Sequence, residues 1–148
     1  IDIPPTLFFS EYYLRNLGFK VFGYKDLKMK KNVNLNEIFD NFQVCCIPPW
    51  KLELLKDFKS DLFINVESFQ EMEKDQSLNY INIFKNSVTK YIYLQNNIKG
   101  HHKSSKKGEF GVLNPTTKLD LENELVDMFQ IKNSKTEFDA YSTIFEKK

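Results

Sequence analysis

Two rhythms of apolar and polar positions run along the chain. Leu7, Tyr13, Leu14 and Leu17 recur at helical spacing, with Phe8, Phe9 and Tyr12 widening the stripe. Pro4 and Pro5 suit the first turn of that helix, Thr6 is placed to help cap it, and Gly18 is a natural stop. Short apolar runs at 19–24, 42–47, 61–65 and 90–96 read instead as buried strands, the second ended by Pro48 and Pro49. Between the first two lies a polar stretch, 25–41, with a weak helical signal near its end. Residues 51–58 read as a short helix or turn. Apolar residues at 78, 81, 84 and 88 predict a helix, and 119–129 predicts a last amphipathic one. Residues 97–111, rich in Gly, Ser and Lys, read as a mobile loop. Two closing strands, at 129–138 and 140–148, have no helix between them.

Strands alternating with helices predict an α/β fold: a mostly parallel sheet with helices on both faces and an antiparallel C-terminal edge. The expectation is one domain over residues 1–148. Ile1 reads as the end of a strand already under way, so further sequence is expected before it.

Composition narrows the classes. Of the 148 residues 41% are hydrophobic and 15% aromatic, too apolar for a disordered chain. A net charge of +1, with Arg15 the only arginine, gives no reason to expect nucleic acid or an anionic membrane surface as partner. No apolar run approaches membrane-spanning length. Cys45 and Cys46 are neighbours, so they point to opposite faces of a strand and are poor disulfide partners. They read as strand filler in a reducing, cytoplasmic setting. No CxxC pair or clear cluster of histidines and carboxylates points to a metal.

In an open parallel sheet, ligands bind outside the carboxyl ends of the strands. Here those ends are Asp2, then 48–50, then Asn65 onward with Glu67, Ser68, Gln70 and Glu71, then 95–97. All four tips are expected on one rim. The same polar residues also suit a loop in water, and Ser68 or Glu71 could cap the helix that follows. Asp2 is the sharper case, because a carboxylate accepts both hydroxyls of a ribose.

The stretches "IDIPPTLFFSEYYL", "IPPWKLELL", "SDLFINVESFQEMEKDQSLNYI" and "YIYLQNN" resemble the sugar O-methyltransferase family, whose members are S-adenosylmethionine-dependent with a Rossmann-like fold. The resemblance runs from Asp2 to about Asn97 and is most specific in "NVESFQEM". It implies that Asp2 holds the cofactor ribose, Ile3 packs on the adenine, and Pro49 and Trp50 lie near the adenine edge. It implies that Asn65, Glu67 and Ser68 stand beside the methionine part and the methyl group. Gln70 and Glu71 would face the substrate, with Asn96 and Asn97 near the acceptor sugar. The family's first strand and glycine loop have no counterpart here and would lie upstream of Ile1. "IPPW" is also similar to the Asn-Pro-Pro-Tyr motif of amino-group methyltransferases, but Ile47 stands where that motif needs an amide.

Methyl transfer to a sugar hydroxyl needs alignment, exclusion of water and a base. Glu71 and Glu67 are base candidates by position, and His101 and His102 by chemistry. The acceptor would be a sugar or nucleotide-sugar in surface-polysaccharide biosynthesis. The loop "KSSKK" is either solvated or closes over such an anion, and a homo-oligomer stays open. Two other classes stay open too: a non-catalytic nucleotide-binding or interaction module, and another Rossmann-like enzyme such as a dehydrogenase.

Overall fold

Two prolines open the first helix, where their missing N–H groups cost nothing. In this computed structural model, which describes residues 1–30 and 33–148, the chain divides into two units, Ile1–Phe58 and Lys59–Lys148. In the first unit α1 (Pro4–Asn16) has Ile3 at its N-cap, so Thr6 lies inside the helix and does not cap it. Leu7 packs with Val21 and Cys46, joined by Leu14 and Val44. Phe8, Phe9, Tyr12, Tyr13 and Leu17 are exposed, so the expected broad stripe narrows to one buried residue.

The strands expected at 19–24 and 42–47 are shorter. β1 (Val21–Phe22) pairs in parallel with β2 (Val44–Cys45). β1 stops because Asp26 takes the Gly23 N–H at 2.9 Å and starts α2 (Tyr24–Met29) at once. α3 (Leu35–Phe39) is capped by the Asn34 side chain, which accepts from Asn36 N at 3.0 Å. The polar stretch thus holds two short helices; Lys31 and Asn32 within it lie outside the described residues. β2 ends at Cys45, and Pro48 stands at the N-cap of a 3₁₀ segment (Pro49–Leu55).

In the second unit β3 (Ser60–Val66) runs parallel to β4 (Val88–Asn97), joined by α4 (Lys74–Ser87), the crossover a parallel pair requires. α5 (Lys118–Leu125) leads to β5 (Phe129–Glu137) and β6 (Ala140–Lys147). The sheet order is β3-β4-β6-β5. β6 lies antiparallel between β4 and β5, so the hairpin closes a mixed sheet. Period-two alternation turns Ile92, Leu94, Tyr141 and Phe145 onto Ile81 of α4 and Leu121 and Leu125 of α5. Helices on both faces were expected, but both helices of this unit cover one face. On the other face Leu62, Ile64 and Val66 are 48%, 58% and 48% exposed. The exposed strand β5 carries Lys132 and Lys135, charges that suit an edge.

Candidate functional site

The carboxyl ends of parallel β3 and β4 form one hydrogen-bonded rim in the second unit. Asn65 Nδ2 donates to Ser68 Oγ at 2.5 Å, and Asn65 Oδ1 accepts from Asn96 Nδ2 at 3.1 Å. Asn96 Oδ1 accepts from Gln70 N at 3.3 Å, and Gln70 Oε1 accepts from Asn97 N at 2.7 Å. Five residues singled out in the sequence are thus tied together. Asn65 and Asn96 are only 7% and 2% exposed, so their amides spend their bonding capacity inside the protein. They fix the two strand ends and leave the exposed Ser68 and the carboxylates of Glu67 and Glu71 facing solvent. Neither carboxylate has an ion-pair or hydrogen-bond partner among the described residues.

Glu67 has a φ of +59°, in the left-handed region that non-glycine residues rarely adopt. Its N–H donates to Gln95 O at 2.7 Å, which holds the turn against β4. Glu71 closes a 3₁₀ turn (Phe69–Glu71). Neither Ser68 nor Glu71 caps α4. The N-cap is Glu73, whose carboxylate instead accepts from Leu113 N and Asn114 N, both at 2.9 Å, and so anchors the long loop.

That loop is folded back on itself. Val112 N donates to His102 O and Ser104 N to Val112 O, each at 2.9 Å. Two glycines allow it: a Cβ on Gly100 would meet Thr116 O at 2.5 Å, and one on Gly111 would meet His102 O at 2.2 Å. Ser77 of α4 shares a 2.8 Å hydrogen bond with Thr116. Between the loop, the end of β4 and the starts of α4 and α5 lies an open cavity of about 740 Å³. Its wall includes Lys74, Asn97, Lys99, His101, Lys103 and Asp139. His101 Nδ1 accepts from His102 N at 2.6 Å, so a neutral ring carries its proton on Nε2. Asp120 accepts from Thr117 N at 2.9 Å and pairs with Lys74 at 2.5 Å. Burial raises its pKa, but the bonds from Lys74 and Thr117 outweigh this and leave the carboxyl below its usual range. The sequence reading missed Lys74, Lys99 and Asp139, and it offered Lys103 only as part of the "KSSKK" loop. The Thr117-x-x-Asp120 capping box was the readable signal that a helix starts here.

In the first unit Asp2 N donates to Ile47 O at 3.4 Å, which brings Asp2 beside the turn that carries Pro49 and Trp50. Asp2 Oδ1 accepts from Ile3 N at 2.8 Å, and no partner is seen for Oδ2 among the described residues. Ile3 is exposed, and so is Trp50, whose ring meets Tyr24 edge-on at 6.2 Å. Cys45 is held up at a pKa of about 12, chiefly by burial, so its thiol is inert at neutral pH. Among the described residues no three His, Cys, Asp or Glu side chains gather as a metal would need, and no helix is long and apolar enough to cross a membrane.

No protein-family model matches the chain, and no curated protein matches it. Solved structures do share its fold. An O-methyltransferase family protein from Burkholderia thailandensis is 5% identical with a TM-score of 0.59, covering 99% of this chain and 42% of its own. An O-methyltransferase family 2 protein from Planctomyces limnophilus, in complex with apigenin, is 8% identical with a TM-score of 0.56, covering 99% and 41%. Magnesium protoporphyrin IX methyltransferase from Synechocystis, with bound S-adenosylhomocysteine, is 10% identical with a TM-score of 0.51, covering 97% and 83%. The chain therefore spans less than half the length of the first two. At these identities the likeness establishes the fold: an α/β sheet of the Rossmann-like kind seen in methyltransferases.

Proposed function

We propose that the chain is part of an S-adenosylmethionine-dependent O-methyltransferase that acts on a sugar hydroxyl, in the cytoplasm, in surface-polysaccharide biosynthesis. One observation carries the reading: parallel β3 and β4 end in a locked polar rim with two unpaired carboxylates, in a fold shared with methyltransferases. One of those fold relatives was solved with S-adenosylhomocysteine bound.

In this reading residues of the first unit hold the cofactor's ribose and adenine. Asp2 has a carboxylate oxygen with no partner among the described residues, suited to ribose hydroxyls, and Ile3, Pro49 and the exposed Trp50 offer an apolar surface for adenine. Asn65 and Ser68 would serve the methionine end. When bound, the cofactor supplies an electrophilic methyl on a sulfonium. Glu71 and Glu67 are the groups suited to take the hydroxyl proton, since neither carboxylate is engaged elsewhere among the described residues. Neutral His101 is better suited to donate from Nε2 than to accept there, so it ranks behind them as a base. Gln70, Asn96 and Asn97 hold the strand ends at fixed spacing beside the acceptor.

Calorimetric titration of S-adenosylhomocysteine tests the reading. Micromolar binding is expected, with loss of tenfold or more in Asp2→Ala. A folded sample that gives no binding heat would overturn it.

A further inference from the structure

Lys99 and Lys103 leave β4's end and line the cavity, and neither has an ion-pair partner among the described residues. Their neighbours differ: Lys74 is matched by Asp120, and Lys106 by Glu109. With Asp120 committed to Lys74 and Thr117, Asp139 is the remaining carboxylate on the wall, against two free ammonium groups. His101 stands between the two lysines in sequence. Its Nδ1 is occupied by the His102 N–H, so its Nε2–H is the available donor. A neutral sugar offers hydroxyl acceptors to two unpaired lysines but no charge to match theirs. A phosphate ester, with two negative charges and several acceptor oxygens, satisfies both lysines and the imidazole N–H. The volume of about 740 Å³ lies in the range of ligand pockets and leaves room for more than the phosphate.

We infer that this cavity holds a phosphate group of the acceptor, gripped by Lys99, Lys103 and the Nε2–H of His101, with Asp139 placed to accept from a sugar hydroxyl. The acceptor is then a sugar phosphate or a nucleotide-linked sugar. Calling it the acceptor rests on the methyl-transfer reading; phosphate binding itself does not.

The test titrates glucose, glucose 1-phosphate and uridine diphosphate glucose into the whole chain, following the histidine ring signals by nuclear magnetic resonance. The two phosphate-bearing probes are expected to saturate below a millimolar and to shift His101, while glucose does neither. Equal affinity for both would place recognition in the phosphate alone; preference for the nucleotide sugar would identify the nucleotide-linked source. Lys99→Ala with Lys103→Ala should weaken binding tenfold or more. Lys106→Ala with Lys107→Ala removes the same charge from the same loop and should change it less than twofold. Equal losses in the two pairs would mean general charge attraction and overturn the site, as would an absence of saturable binding in folded protein. If phosphate probes bind but S-adenosylhomocysteine does not, methyl transfer falls and the phosphate site stands. The reverse result removes the phosphate site alone.

Discussion

Glu67 combines a strained backbone with a free carboxylate at the end of β3. A left-handed conformation costs an L-residue about 1–2 kcal/mol, and the bond to Gln95 O helps to keep it there. Glu67→Gly removes that strain but loosens the unfolded chain by about 0.5–1 kcal/mol. The net expectation is a gain of up to about 1 kcal/mol, seen as a higher urea midpoint at unchanged slope. Glu67→Val should move the midpoint the other way, since a branched side chain tolerates this region worst. If the carboxylate also serves the reaction, the stabilised glycine variant will be the less active one. A midpoint that falls in Glu67→Gly would show that the carboxylate, not the backbone, dominates here. The sequence offered the carboxylate as a candidate, but it gave no sign of the positive φ. That conformation is imposed by a hydrogen bond to a strand 28 positions further on, Gln95 (95 − 67).

At the scale of elements, the Asn65–Asn96 pair joins β3, β4 and the turn between β3 and α4. Asn96→Ala would strand the Gln70 N–H and leave Asn65 Oδ1 one donor short, in a place only 2% exposed. The expected loss is about 2–3 kcal/mol, read from the urea midpoint. A change under about 0.5 kcal/mol would mean that the rim is not held by this network. Asn96→Asp should be worse still, because it sets a buried charge against Asn65 Oδ1. How far the sequence spoke varied with the kind of signal. Helices α4 and α5 and strands β4 and β6 were legible because periodicity and burial agree there, whereas β3, expected to be buried, and β5 form where predicted but are largely exposed. In α1 the period was right but the burial was not: apolar spacing cannot say which aromatic residues the chain itself covers. The stretch at 19–24 misled because Gly23 and Asp26 start a helix inside an apolar run. The 97–111 loop holds backbone contacts that its composition did not announce. Gly100 and Gly111 mark close backbone approach, yet composition alone reads glycine beside lysine and serine as mobility.

At the scale of the molecule, the two units differ in how much sheet each one holds. In Lys59–Lys148 one cluster runs from Phe69 and Ile81 through Ile92 and Leu94 to Leu125, Phe129 and Phe145, each no more than 2% exposed. In Ile1–Phe58 Leu7, Val21 and Cys46 form one cluster and Phe22, Leu27, Leu35, Ile38 and Leu52 are buried too, but the strands there are a parallel pair of two residues each. A two-stranded pair is too small to stabilise itself, whereas four strands under two helices suffice. Lys59–Lys148 expressed alone should therefore unfold in one cooperative urea transition and give a dispersed proton spectrum. Ile1–Phe58 alone should show neither. Leu62, Ile64 and Val66 are the hazard for the larger fragment, lying half exposed on a strand whose outer edge has no strand partner among the described residues. Ile64→Lys should curb self-association and leave the transition midpoint within about 0.5 kcal/mol, because the side chain it replaces is already 58% exposed. If the charged fragment is soluble but melts without cooperativity, the second unit draws its stability from residues outside 59–148. The rim and the cavity would then have to be studied only in the whole chain. If it melts cooperatively, phosphate titration can be repeated on the fragment, free of everything the first unit contributes.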